Sequence, residues 1–179
     1  MEQECRLRNG QVLVIRPARR EDAAKISEYI NQIGGESDFL TFGKGGFAVS
    51  NEREEDFIEE LAGSDHELML CALIGDELAG HLVVTGSEKP RIRHVGEMGI
   101  TVRKKYWGIG VGSELLRCLL KWAEDSHVIR KINLRVRSDN ERAIRLYQKA
   151  GFAEEGRISR EMLIDGIFYS YIQMGILID

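Results

Sequence analysis

The sequence of 179 residues has few cysteines, only two prolines and no long hydrophobic run. Cys5, Cys71 and Cys118 are far apart and form no CxxC motif, a pattern typical of free thiols in a reducing compartment. The longest apolar run, residues 68–74, is much shorter than the ~20 residues that span a bilayer. The N-terminus lacks the basic and then apolar order of a secretory signal. We therefore expect a cytoplasmic protein with no membrane segment.

Motifs of several enzyme classes are also missing. His66, His81, His94 and His127 have no HExxH or other metal-ligand spacing, so we expect no metal site. No GxSxG motif is present, and serine hydrolase chemistry therefore has no support.

The charges are unevenly distributed. The net charge of −4 does not favour non-specific nucleic-acid binding. Residues 50–79 nevertheless hold ten acids and one arginine, whereas residues 103–149 hold twelve lysines and arginines and five acids. Charge runs of this kind are typical of solvated helix faces and also of surfaces for charged ligands, and both explanations are open at this point.

Hydrophobic periodicity and turn residues predict an element order of β α α β β β α β α β β. The predicted strands are residues 12–16, 66–74, 77–85, 95–102, 131–136, 153–158 and 168–178, and the predicted helices are residues 20–33, 51–61, 113–125 and 140–150. Asn51 is the expected N-cap of the second helix, with Glu54 as its capping-box partner. Residues 34–50 are too rich in glycine for regular structure and form a long loop. This order fits a doubly wound fold poorly and predicts one α/β domain over residues 1–179, a mixed sheet with helices on both faces.

The segment with most information lies between a predicted strand and a predicted helix, where Gly108, Gly110 and Gly112 alternate with other residues. A glycine turn that opens a helix presents unpaired backbone N–H groups and the positive end of the helix dipole to an anion. Ser113 stands where a dinucleotide fingerprint has its third glycine, which disfavours a nicotinamide-binding site. No Gly-Lys-Ser/Thr follows the glycines, so the sequence lacks the motif of a P-loop. A tight strand-to-helix connection that binds no ligand is left as an alternative.

Two motifs, taken together, resemble the core motifs of the GNAT superfamily of acyl-CoA-dependent N-acyltransferases. They are Trp107-x-x-Gly110-x-Gly112 and Asn140-x-x-Ala143-x-x-x-Tyr147-x-x-x-Gly151-Phe152. Residues 14–18, 21–23, 155–157 and 174–175 extend the resemblance over nearly the whole chain. It implies the GNAT fold, a mixed and mostly antiparallel central sheet in which a splayed parallel strand pair binds coenzyme A.

The resemblance also implies a binding site for acetyl-CoA. The amides of the turn would bind its pyrophosphate, and these belong to Gly108, Ile109, Gly110, Val111, Gly112 and Ser113. Unpaired backbone groups of Ile100, Thr101 and Val102 would bond the pantetheine, and an amide near Val102 would polarise the thioester carbonyl. Asn140 and Ala143 belong to the second motif, where the asparagine contacts the cofactor or caps a helix. Trp107 replaces the arginine or glutamine that the family usually carries.

For chemistry, the resemblance assigns two residues. Tyr147 would donate a proton to the departing thiolate, and Glu97 would accept the proton of the amine, with ordered water as the alternative base. The implied reaction is direct transfer of an acetyl group to a primary amine, of a small molecule or of a peptide or protein, in a ternary complex. We expect the acidic residues 52–77 to border the acceptor and attract a cationic amine, such as a polyamine, an amino-sugar or a basic peptide terminus. Two other functions are open, a non-catalytic acyl-CoA-binding regulatory protein and a nicotinamide oxidoreductase, and a homodimer is also left open.

Overall fold

The computed structural model describes residues 2–46 and 49–179. The strands of the described chain are β1 Gln3–Arg6, β2 Val12–Pro17, β3 Leu68–Ile74, β4 Glu77–Thr85, β5 Val95–Val102, β6 Lys131–Arg137, β7 Ala153–Ile164 and β8 Ile167–Leu177. Its helices are α1 Ala23–Ile33, α2 Asn51–Ala62, α3 Val111–Ser126 and α4 Glu141–Lys149. None of the described helices has the length and hydropathy of a membrane span.

One eight-stranded sheet runs through the molecule in the order β1-β2-β3-β4-β5-β6-β8-β7. All neighbouring strands are antiparallel except β5 and β6, which are parallel. These two strands pair only at Val95–Lys131, Gly96–Ile132 and Glu97–Asn133, so their remaining residues diverge and leave a fork in the sheet. The predicted mixed sheet with a splayed parallel pair is therefore confirmed.

Helices cover both faces of the sheet, as predicted. On one face, Leu115 and Leu119 of α3 pack with Leu70 and Leu82 in a core that extends to Tyr147 of α4. On the opposite face, apolar side chains of α1 and α2 cover a second core on β3 and β4, which includes Ile26, Tyr29, Ile58, Met69 and Cys71. The spacing of three and four residues that predicted α3 is the spacing of its buried side chains. The fork in the sheet therefore lies between two separate hydrophobic cores.

Several predicted boundaries were wrong. Ser50, rather than Asn51, caps α2, because its hydroxyl oxygen accepts the backbone N–H of Arg53 at 3.3 Å. Helix α1 begins after a 3₁₀ turn at residues 20–22, and α3 begins at Val111 rather than Ser113. Strand β7 continues to Ile164, well beyond the predicted residue 158, because it forms a long hairpin with β8.

Strand β1 was not predicted. Its four residues alternate between half-buried and exposed positions and carry mostly polar side chains, so they show no apolar strand pattern. It pairs with β2 at the edge of the sheet.

A buried ion pair joins β2 to the start of α1. Arg16 donates from Nη1 to Oδ2 of Asp22 at 2.6 Å, and both side chains are almost fully buried. Burial alone would raise the pKa of Asp22, but the hydrogen bonds from Arg16 and from the amide of Arg19 outweigh it and lower that pKa. The pair anchors α1 over the sheet and so fixes one wall of the site described next.

Candidate active site

Two cavities meet at the fork. The first, the glycine-turn cleft, has a volume of about 730 Å³ and lies between the turn at residues 108–113 and α4. The second, the sheet cavity, has a volume of about 940 Å³ and lies between the sheet and α2. The two share six lining residues, Phe39, Leu40, Ile100, Thr101, Asn140 and Tyr147. Ligands bound in the two cavities would therefore come into contact near the open edge of β5.

The glycine turn forms the closed end of the cleft. Gly108 and Gly110 have φ values of 80° and 117°, in the left-handed region that glycine adopts without strain. The glycine turn places the N-terminus of α3 at the cleft. The backbone N–H groups in the first turn of this helix have no acceptors within the helix. Gly108, Gly110, Val111, Gly112 and Ser113 line the cleft, whereas Ile109 is absent from its lining and accepts a backbone hydrogen bond from Arg8.

The cleft also has a basic lining. Arg8, Arg142, Arg145 and Lys149 contribute to its wall together with the carboxylates of Glu36, Asp139 and Glu141. Glu36 accepts hydrogen bonds from the amide of Lys104 at 2.6 Å and from Arg103 at 3.3 Å. Helix N-terminus and basic side chains together suit a ligand with phosphate groups.

The backbone of β5 alternates between its two neighbours. Because the amide of Arg103 donates to the carbonyl of Ala79 on the β4 side, the antiparallel register directs the backbone groups of Thr101 toward β4 as well. The N–H and C=O groups of Ile100 and Val102 then point to the fork. Only two of the three predicted β5 residues can therefore offer backbone groups to a ligand there.

Trp107 ties the turn to the end of β5. Its indole N–H donates a hydrogen bond to the carbonyl oxygen of Val102, at 2.7 Å, and the guanidinium of Arg142 lies 4.5 Å from the centre of its ring. The amide of Val102 stays on the fork side, while its carbonyl is occupied. The tryptophan thus shapes the cleft through a side-chain contact within the protein.

Tyr147 lies on α4 where both cavities meet. Burial raises the pKa of its phenol to about 12, and the hydroxyl has no hydrogen-bond partner among the described residues. Its ring packs edge-on against Phe152, with centroids 6.0 Å apart. Such a phenol stays protonated at neutral pH and can donate to a ligand.

Asn140 and Ala143 lie at the start of α4. Oδ1 of Asn140 accepts the amide of Ala143 at 3.3 Å, so Asn140 is the N-cap of this helix. Both residues line the glycine-turn cleft, and Asn140 also lines the sheet cavity.

Glu97 lies at the base of the fork, in the last residue pair that joins β5 to β6. Its side chain lines the sheet cavity and is about half exposed, with Oε1 at 3.7 Å from Nε of Arg135. The carboxylate is therefore in contact with water at the base of the fork.

Two further side chains of the sheet cavity were missed by the sequence predictions. His81 on β4 is buried, and desolvation lowers its pKa to about 4, so its imidazole is neutral at physiological pH. Its Nε2 atom has no hydrogen-bond partner among the described residues. A histidine within the apolar segment 78–84 is the signal that could have drawn attention to it.

Glu54 on α2 is the second side chain that the sequence predictions missed. Its side chain is only 4% exposed, it lines the sheet cavity, and burial raises its pKa. Glu54 stands four and seven residues before Ile58 and Leu61, the buried apolar residues of α2, and this helical spacing is the signal that could have found it. Within the described part of the chain, no group of histidine, cysteine, aspartate and glutamate side chains is arranged to hold a metal ion.

A mixed sheet that opens between two parallel strands, beside a glycine turn at a helix N-terminus, defines an acyltransferase of the GNAT type. The model of the acetyltransferase (GNAT) family matches residues 37–152, and this chain belongs to that family. The predicted family, fold and acetyltransferase activity are therefore confirmed.

Individual relatives agree with this assignment. The L-amino acid N-acetyltransferase AaaT of Escherichia coli (strain K12) is 33% identical over 108 residues, which are 60% of this chain and 67% of that protein. The spermidine N(1)-acetyltransferase of the same strain is 30% identical over 90 residues, 49% of this chain and 48% of that protein. The chain thus spans only about half the length of this second relative.

Solved structures show the same fold. An acetyltransferase of the GNAT family from Streptococcus pneumoniae superposes with a TM-score of 0.91 at 35% identity, covering 93% of this chain and 99% of that one. Structures of this fold at 19% and 16% identity were solved with acetyl-CoA.

Proposed function

We propose that this enzyme transfers the acetyl group of acetyl-CoA to a small primary amine by direct attack within a ternary complex. The observation that carries the proposal is the meeting of two cavities at Tyr147 and the open edge of β5. One cavity has the glycine turn and basic wall that suit a pyrophosphate, and the other is lined by apolar side chains, four carboxylates and three arginines. A donor and an acceptor can therefore approach each other from opposite sides of the fork.

The donor would occupy the glycine-turn cleft. Amides of residues 108 and 110–113 would hold its pyrophosphate, and the N–H and C=O groups of Ile100 and the N–H group of Val102 would face its pantetheine arm as a missing strand would. This arrangement carries the thioester to the fork, where the amide of Val102 can donate to the carbonyl oxygen. The role of Thr101 would then be restricted to its side chain, whose hydroxyl bonds Tyr29 at 3.0 Å.

The reaction needs three proton and charge movements. Glu97 first removes a proton from the ammonium group of the acceptor, directly or through water, and the free amine nitrogen then attacks the thioester carbonyl carbon. The developing oxyanion is stabilised by the backbone amide of Val102. When the carbon–sulfur bond breaks, the sulfur leaves with the bonding electrons and takes a proton from the Tyr147 hydroxyl, and the second proton released by the nitrogen restores the phenol through water. The products are the acetylated amine and coenzyme A.

We further propose that residues 1–179 act as one domain in the cytoplasm. The support is a single sheet that extends from β1 to β8, together with three cysteines that are free thiols in the described structure. Gel filtration with light scattering tests the homodimer that the resemblance leaves open.

Thiol release from acetyl-CoA over a panel of amines tests the proposed activity. Amine-dependent release that yields an acetylated amine by mass spectrometry supports it. A rise in melting temperature with acetyl-CoA but no release with any amine would favour the non-catalytic regulatory protein. A rise with NAD(P) but not with acetyl-CoA would favour the oxidoreductase.

A further inference from the structure

Glu54 is an unusual side chain for the interior of a protein. Carboxylates are almost never fully buried unless they are paired, because an isolated charge loses its hydration without compensation. Glu54 is 4% exposed, yet it forms no hydrogen bond or ion pair through its side chain with any described residue. It lines the sheet cavity, which the proposed function assigns to the acceptor. A cationic ligand in that cavity would supply the missing partner.

The position of Glu54 relative to the fork follows from the strand register. Cys71, His81 and Thr101 are successive partners on β3, β4 and β5, so they form a row across the sheet about 10 Å long. Helix α2, which carries Glu54, packs through Ile58 and Leu61 in the same core as Met69 and Cys71 of β3. The Thr101 end lies beside the fork. Glu54 therefore lies on the β3 side of the sheet cavity, away from the open edge of β5.

The next row of the sheet on the same face, formed by Met69, Val83 and Gly99, has an apolar lining. Met69 and Val83 are register partners on β3 and β4, and both line the sheet cavity together with Phe57 of α2 and Ile30 of α1. His81 lies in the same wall and is uncharged at neutral pH. A chain of methylene groups would fit this lining without loss of hydrogen bonds.

The remaining charges of the cavity also favour a cation. Its described lining contains the carboxylates of Glu54, Asp56, Glu60 and Glu97 and the guanidinium groups of Arg53, Arg135 and Arg137. Arg137 is already paired with Asp139 at 2.7 Å, and Arg135 with Glu161 at 3.0 Å. Both partners lie outside the cavity lining. The cavity thus keeps an excess of negative charge.

We infer that Glu54 determines acceptor specificity by binding the distal ammonium group of a diamine or polyamine, while the proximal amine of the same molecule is acetylated at the fork. This inference rests on the proposed function and extends it from primary amines in general to amines with a second positive charge. The methylene chain between the two nitrogens would lie along Met69 and Val83. Glu54 would act as a recognition residue that does not touch the reacting atoms.

The test compares acceptors of matched length. Steady-state rates at saturating acetyl-CoA would be measured with linear α,ω-diamines of increasing length, with n-alkyl monoamines of the same length, and with L-amino acids. For the wild-type enzyme, kcat/KM should be higher for the best diamine than for its matched monoamine by about ten-fold or more, as expected for a charge-assisted contact. Glu54→Gln should remove this difference by raising KM for the diamine and should leave the monoamines nearly unchanged.

Two variants sharpen the comparison. Glu52→Gln removes the same charge from an exposed position on α2 that is absent from the cavity lining, and it should keep the preference for diamines. Glu54→Asp shortens the carboxylate arm by one methylene and should move the best acceptor to a longer diamine. Melting temperatures of all three variants check that α2 is still folded.

The outcomes separate the two levels of the proposal. Turnover of monoamines or L-amino acids at least as efficient as that of diamines would overturn the role of Glu54 and leave the acetyltransferase proposal intact. An unchanged diamine preference in Glu54→Gln would do the same. No thiol release with any amine would instead overturn the proposed function, and the role of Glu54 with it.

Discussion

The hydrogen bond from the indole N–H of Trp107 to the carbonyl oxygen of Val102, 2.7 Å long, joins the glycine turn to the strand that borders the fork. The two residues are five positions apart, and the 3₁₀ turn at residues 104–106 lies between them. Because Val102 is a proposed donor of the oxyanion hydrogen bond, the tryptophan holds in place both the phosphate end and the thioester end of the cleft.

Trp107→Phe is expected to weaken donor binding. The change removes the N–H donor and leaves the Val102 carbonyl without this partner, a loss of about 1 kcal/mol of folding stability. We expect a higher KM for acetyl-CoA and a lower denaturation midpoint. Trp122→Phe is the matched control, since Trp122 lies on α3 outside both cavities. Equal KM values for the two variants would contradict this role.

Gly110→Ala should disturb the turn itself. Alanine at a φ of 117° costs about 1–2 kcal/mol, and relief of that strain would shift the amides that face the cleft. We therefore expect a raised KM for acetyl-CoA. Gly166→Ala introduces strain at a φ of 80° in the β7–β8 turn, where the added methyl group meets no neighbour. That variant should lose stability but keep the wild-type KM for acetyl-CoA.

Tyr147→Phe should lower kcat by about 100-fold if the phenol is the proton donor. The ring, and with it the contact to Phe152, is retained, so the melting temperature should hardly change. With a pKa of about 12, the wild-type phenol is protonated throughout the neutral range, and the defect should be independent of pH between about pH 6 and pH 9. Wild-type turnover in this variant would refute the assignment.

Glu97→Gln is expected to lower kcat/KM by about ten-fold near neutral pH, because the attacking nitrogen arrives as an ammonium ion. The defect should shrink as the pH rises toward about 10, where a growing fraction of free amine no longer needs a base. A pH–rate profile of variant and wild type measures this. A ratio that stays constant with pH would point to a positioning role for Glu97.

Asp22→Asn should destabilise the protein by about 3 kcal/mol at pH 7, because it leaves Arg16 buried without its partner. The folded pKa of Asp22 lies below its unfolded value, so its contribution is complete above about pH 4 and is lost as the pH falls through the folded pKa. Urea unfolding at a series of pH values should show the difference from wild type shrinking in acid. The exposed pair Lys121–Asp125 is the control, since Asp125→Asn should cost less than about 1 kcal/mol.

The parts of the site that the sequence predicted are those built by local patterns. The glycine turn, α3, α4 and Tyr147 each depend on residues within one or two turns of the chain, and they lie together as expected. The predictions were weaker where the answer depended on strand register. That Thr101 faces β4 while Ile100 and Val102 face the fork became apparent only when β5 was aligned with β4.

Sequence prediction was weaker still for the sheet cavity. His81 and Glu54 come from elements that are separated by β3 in the chain and meet only through packing of α2 on the sheet. Among the ten acids of residues 50–79, Glu54 lies on the buried face of α2 with Ile58 and Leu61, whereas Glu77 pairs with Lys105 at the surface. Residues 47 and 48 of the predicted loop lie outside the described residues, but Phe39, Leu40 and Phe42 of that loop line the cavity.

The fork also has a mechanical meaning. In the described part of the sheet, strand pairing between the five strands β1 to β5 and the three-stranded unit β6-β8-β7 consists of three residue pairs. A ligand bound between β5 and β6 would contact both units and link them. Without a ligand, β5 and β6 should therefore separate transiently by local opening. Donor binding should slow amide hydrogen exchange in the strands on both sides of the fork.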